Sequence, residues 1–72
     1  MEFKKKLDTV REVFPDDPAI AYLDTAERAY DAGDKERAIG FVSEAIAELL
    51  SSKRDRAIVN DLNELISLLK KA

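Results

Sequence analysis

Apolar residues recur along this chain at helical spacing, in four blocks separated by polar or turn-forming residues. The first block runs from about Glu2 to Phe14, with Phe3, Leu7, Val10, Val13 and Phe14 on one stripe. It stops at Pro15, because proline disfavours helix at the residue before it. Pro15-Asp16-Asp17-Pro18 then makes a turn. Asp17 can cap the second helix, and Pro18 suits its first position, where no amide donor is needed. The second block, about Pro18 to Ala32, carries two adjoining stripes: Ile20, Leu23, Ala26 and Tyr30, and Ala19, Tyr22, Ala26 and Ala29. Two stripes predict two packing partners.

Gly33-Asp34 predicts the next corner: glycine takes the left-handed conformation that ends a helix, and Asp34 caps the one that follows. The third block runs from about Lys35 to Leu50. Its apolar arc (Ala38, Ile39, Phe41, Val42, Ala45, Ile46, Leu49, Leu50) is the widest of the four and predicts the most buried helix. Gly40 interrupts it, where glycine costs roughly 1 kcal/mol against alanine. The expected compensation is a close approach of another backbone. Ser51 to Asp55 predicts a turn, with Ser52 and Asp55 spaced as in a capping box. No glycine or proline forces that turn, so one long bent helix is the alternative there. The fourth block, about Arg54 to Lys70, places Ile58, Leu62, Leu65 and Leu69 on a stripe with steps of four and three, widened by Val59 and Ile66. Lys70 and Lys71 complement the dipole at its end. No segment alternates with period two. The pattern predicts an all-α fold: a compact bundle of four antiparallel helices with short loops, or three if the last two are one.

At 72 residues the chain makes one domain. A hydrophobic fraction of 46% beside 38% charged residues supplies both a core and a solvated surface, which argues against disorder. The net charge of −3 is not the footprint of a nucleic-acid binder. Basic groups occur at Lys4-Lys5-Lys6, Lys53-Arg54-Arg56 and Lys70-Lys71, but Asp8, Asp55 and Asp61 dilute any shared field. Local ion pairs on a solvated face are the simpler reading. No apolar run approaches the roughly 18 residues of a membrane span. The basic start has no apolar segment behind it, so no leader peptide is expected, and the cytoplasm is the expected compartment.

Cysteine, histidine and tryptophan are all absent. That removes disulfides, thiolate chemistry, the commonest metal ligand and the commonest general base. Asp16, Asp17, Asp31 and Asp34 gather near turns without a calcium-loop pattern, and capping explains Asp17 and Asp34. Glu44 and Glu48 lie one helical turn apart and read as an exposed face. The aromatics Phe3, Phe14, Tyr22, Tyr30 and Phe41 all lie on or beside apolar stripes, so core packing is expected of them, with the tyrosine hydroxyls at the core's edge. No catalytic, cofactor-binding or metal-ligating residue emerges. The sequence therefore argues against an enzyme.

Residues 22 to 50 resemble a single tetratricopeptide repeat. Gly33 and Asp34 fall at its inter-helix turn, Ala26, Ala38 and Ala45 at its small packing positions, and Tyr22 where it often has a large aromatic. Lys35 and Val42 stand where the family has aromatics, Leu50 replaces the closing proline, and Tyr30 is one position off. The resemblance implies a tight helical hairpin. Tandem repeats of that family bind peptides on the concave face of their first helices. With one repeat, the first helix is expected to pack there against Ile20 and Leu23, and the first and fourth helices to act as covers.

Two function classes remain. One is a non-enzymatic structural scaffold. Clean caps and the missing residue types suit a designed chain, whereas Gly40 and the β-branched Thr9, Thr25 and Val59 do not. The alternative is a natural interaction module that binds a partner helix or peptide, or a homodimer through the fourth-helix stripe.

Overall fold

Proline and glycine place the first two chain reversals. In the computed structural model, which describes residues 2–51 and 57–71, four helices form: α1 (Glu2–Val13), α2 (Ala19–Asp31), α3 (Lys35–Ser51) and α4 (Ala57–Lys71). Between α1 and α2 the Asp17 side chain accepts a hydrogen bond from the Ala19 N–H at 2.9 Å, and Pro18 already has helical angles (φ −56, ψ −24). At the second corner Gly33 has φ 85, the left-handed region that glycine enters without penalty. Its N–H donates to the Tyr30 carbonyl at 3.0 Å, and the Asp34 N–H donates to the Ala29 carbonyl at 2.9 Å. These two bonds make a Schellman motif. The Asp34 carboxylate then accepts from the Arg37 N–H at 3.1 Å, which caps α3.

The predicted helices are thus present, with ends shifted by a residue or two. Ser51 extends α3 by one residue. The Ser52–Asp55 capping box, the Lys53-Arg54-Arg56 group and the expected start of the fourth helix at Arg54 lie outside the described residues. Nevertheless α3 and α4 pack side by side. The six residue steps from Ser51 to Ala57 span at most about 22 Å, too short to run back along a 17-residue helix of about 25 Å. The two helices therefore run antiparallel as separate elements, and the choice between a turn and a bend over residues 52–55 lies outside the described residues.

Around the bundle, α2 packs against α3, α3 against α4, α4 against α1, and α1 against α2. Each helix has two neighbours and the ring closes, so the fold is an all-α four-helix bundle. The most intimate pair is α2 with α3. Ala26, Ala38 and Ala45 are fully buried and Ala29 nearly so, and such small side chains let two helices approach closely. The core itself is apolar: Phe3, Leu7 and Val10 from α1, Leu23 from α2, Val42 and Leu49 from α3, and Ile58, Leu62, Leu65 and Leu69 from α4. Among the described residues no polar or charged side chain is buried.

Four expectations fail, each because a neighbour is not where the pattern put it. Val13 is 61% exposed. The α1 stripe runs Phe3, Leu7, Val10, Phe14 with steps of four, three and four, and Val13 falls off its edge. Leu50, the last apolar residue of the wide α3 arc, is 49% exposed. For the same reason α3 is not the most buried helix: it buries Ala38, Val42, Ala45 and Leu49, no more side chains than α2 or α4. Ile39, Phe41 and Ile46 only flank the core. Gly40 is exposed, and a Cβ built there would meet nothing within 4 Å. No backbone approaches it, so its cost is not offset by packing.

Candidate functional site

Helix α1 carries a set of ion pairs to its two neighbours. Lys4 and Arg11 flank its apolar stripe on one side, and Lys6 on the other. Lys4 bridges Glu27 at 3.1 Å and Asp31 at 2.7 Å, and Arg11 bridges Asp24 at 2.5 Å and Glu27 at 2.8 Å. All four of these bonds reach α2. Across the stripe Lys6 reaches α4, at 3.0 Å from Asp61 and 2.7 Å from Glu64. The order of these pairs, Lys4 near the end of α2 and Arg11 nearer its start, makes α1 and α2 antiparallel. Cations that flank an apolar seam select the partner and its direction.

The titration shifts follow from these bonds. The Arg11 hydrogen bond, reinforced by Lys4, holds the Glu27 carboxyl below its ordinary range against the opposing effect of partial burial. Lys4 is raised by Asp31 first and then Glu27, and Lys6 by Glu64 first and then Asp61. Arg11 is raised chiefly by Glu27. These shifts belong to ion pairs between helices, not to a cleft.

The other candidate groups disperse. Asp17 and Asp34 cap helices, and Asp31 pairs with Lys4. Glu44 and Glu48 are exposed on α3, as expected. Lys4 and Lys6 face different helices, so the first basic group does not form one patch. Among the described residues no three acidic side chains converge in a way that could hold a metal ion, and no helix is long and apolar enough to cross a membrane. Phe3 is buried, its ring centroid 4.8 Å from that of Tyr30 with the planes tilted by 43°. Phe14, Tyr22, Tyr30 and Phe41 are half-buried against the core. The threonines have a local explanation: Thr9 and Thr25 each donate a hydroxyl to the carbonyl one turn back, at 3.1 Å.

Among the described residues a concavity lies on the outer side of the α2/α3 seam. Small seam residues draw the helices together, and larger side chains rise on either side. An apolar recess of about 210 Å³ is lined by Ala21, Tyr22, Thr25 and Phe41. A second recess of about 300 Å³ shares Thr25 and Phe41 with the first, so the two form one groove, and it adds Arg28, Asp34 and Arg37 among its lining residues. The Arg37 guanidinium carbon lies 5.9 Å from the Phe41 ring centroid. Arg28 and Arg37 make no ion pair among the described residues. Sequence periodicity places Tyr22 and Phe41 beside the core but not beside each other, because the groove exists only once the two helices are docked. No family model, curated protein or solved structure matches the chain.

Proposed function

We propose that this protein is a non-enzymatic α-helical scaffold, a chain that closes its own core and presents a charged surface. The carrying observation is the α4 stripe. Ile58, Leu62, Leu65 and Leu69 have no exposure within a single chain, so the seam that could have joined two copies is already filled by α1 and α3. Among the described residues the shifted ionisable groups are accounted for by ion pairs that fix α1, and none of them lines the groove. The capped corners and apolar core follow the rules by which helical bundles are designed, so a de novo origin without natural biochemical activity belongs to this reading.

Leu62→Asp tests it. A carboxylate at this fully buried position should abolish the helical circular-dichroism signal at 25 °C. A folded, monomeric variant would place Leu62 on a seam between copies and would overturn the reading.

The second reading is a natural tetratricopeptide-like module that binds a partner helix or peptide. It is supported by the Gly33-Asp34 corner, by the fully buried Ala26, Ala38 and Ala45, and above all by the groove that the hairpin leaves open. It expects saturable binding at that groove, whereas a scaffold without a partner expects none.

A further inference from the structure

We propose that the α2/α3 groove docks an acidic peptide segment of a partner protein, one aromatic or large apolar side chain entering the recess between Tyr22 and Phe41 and a neighbouring carboxylate meeting Arg28 and Arg37. This rests on the interaction-module reading and gives its partner a chemistry.

Charge complementarity selects the occupant. On α1, Lys4, Lys6 and Arg11 each bridge two carboxylates of a neighbouring helix. In a chain with 15 acidic and 12 basic residues, carboxylates are in excess and cations find partners readily. Arg28 and Arg37 are exposed, line the same recess, and have no ion pair among the described residues. The Asp34 carboxylate lines that recess too, but one of its oxygens already accepts the Arg37 N–H as the α3 cap. The guanidinium of Arg37 lies within cation–π range of the Phe41 ring, which orients it before any ligand arrives. Planar guanidiniums recognise carboxylates by paired hydrogen bonds.

Shape selects a peptide over a metabolite. The recesses of about 210 and 300 Å³ form a groove that lies open along the surface, whereas small-molecule sites enclose most of the ligand. They suit one side chain and its flanking backbone. The Thr25 hydroxyl donates to the Ala21 carbonyl, and its oxygen keeps accepting capacity for a backbone N–H of the guest.

The test is a titration of the full, isotope-labelled chain, followed by amide chemical shifts. The probe is a blocked tripeptide with one phenylalanine between two glutamates, and its control has glutamines instead. The proposal expects shifts confined to the groove-facing stretches of α2 and α3. It also expects the acidic probe to bind roughly tenfold tighter than the control, an advantage lost in the double variant Arg28→Gln, Arg37→Gln. Both arginines are exposed, so the variant should keep its helical signal. Equal binding of both peptides at the groove would overturn the acidic partner while leaving an interaction module standing. Shifts elsewhere, or none, would overturn the site itself. The same amides moving on dilution of the protein alone would make the occupant a second copy and would also overturn the proposal.

Discussion

A carboxylate oxygen of Glu27 accepts a hydrogen bond from the Arg11 guanidinium at 2.8 Å, tying the middle of α2 to the end of α1. The other oxygen of Glu27 accepts from Lys4 at 3.1 Å, one α1 heptad earlier. Glu27 is thus the clasp of the α1/α2 contact, where close backbone packing is sparse and ion pairs matter more. Its pKa is lowered from an ordinary 4.5, first by Arg11. Its contribution to stability is therefore fully present above that ordinary value and is lost as pH falls through the lowered folded value. Urea unfolding should find Glu27→Gln less stable than the parent at pH 7, by about 0.5–1 kcal/mol given the partial exposure of the pair. The gap should close in acid below the lowered value and shrink in 1 M salt. An unchanged gap in acid would mean that packing, not charge, explains the effect.

At the other end of the pH scale the signs reverse. Lys4 and Lys6 are raised above 10.5 by their carboxylate partners. Their contribution is fully present below that value and is lost as pH rises through the raised folded values. Lys6 reaches α4 and Lys4 reaches α2, so strong alkali should loosen α1 from both neighbours. Hydrogen exchange near pH 11 should show α1 amides opening before those of α3. The opposite order would contradict the role given to these pairs.

The two glycines separate backbone conformation from space. A Cβ meets nothing within 4 Å at either position, but Gly33 alone has φ 85. Gly40→Ala should stabilise the protein by about 1 kcal/mol, which for a chain this size raises the melting midpoint by roughly 4–8 °C. Gly33→Ala should destabilise it by about 1–2 kcal/mol, because a side chain resists the left-handed region. Shifts of the same sign in both variants would contradict the account.

Burial, not hydrophobicity, should rank the apolar positions. Leu65 has no exposure, and truncating it to alanine should cost about 2–5 kcal/mol. Val13 is 61% exposed, and the same truncation should stay within about 0.5 kcal/mol. Chemical denaturation of the two variants side by side checks this.

These contrasts mark what a sequence can carry. The corners were legible because their chemistry is local: Pro15, Asp17, Gly33 and Asp34 act on bonds within a few residues. The α4 stripe was legible because its period matches one face of a helix, and the all-α class follows from four such stripes. Val13, Leu50 and Gly40 escape the pattern because their surroundings depend on which helix lies opposite, and period alone leaves the edge of a stripe undefined. The partners of Lys4, Lys6 and Arg11 were hidden for the same reason, since local pairing was the only pairing visible along the chain. The groove was hidden more deeply. Tyr22 and Phe41 are 19 positions apart and line one recess only across a docked seam, so periodicity alone assigns their aromatic character to the core.

One chain closes its own apolar core. Thermal unfolding followed by circular dichroism at two protein concentrations about a hundredfold apart tests it most directly. One cooperative transition with the same midpoint at both concentrations is expected, and a midpoint above about 90 °C would add weight to a designed origin. A midpoint that rises with concentration would couple folding to association and contradict the claim.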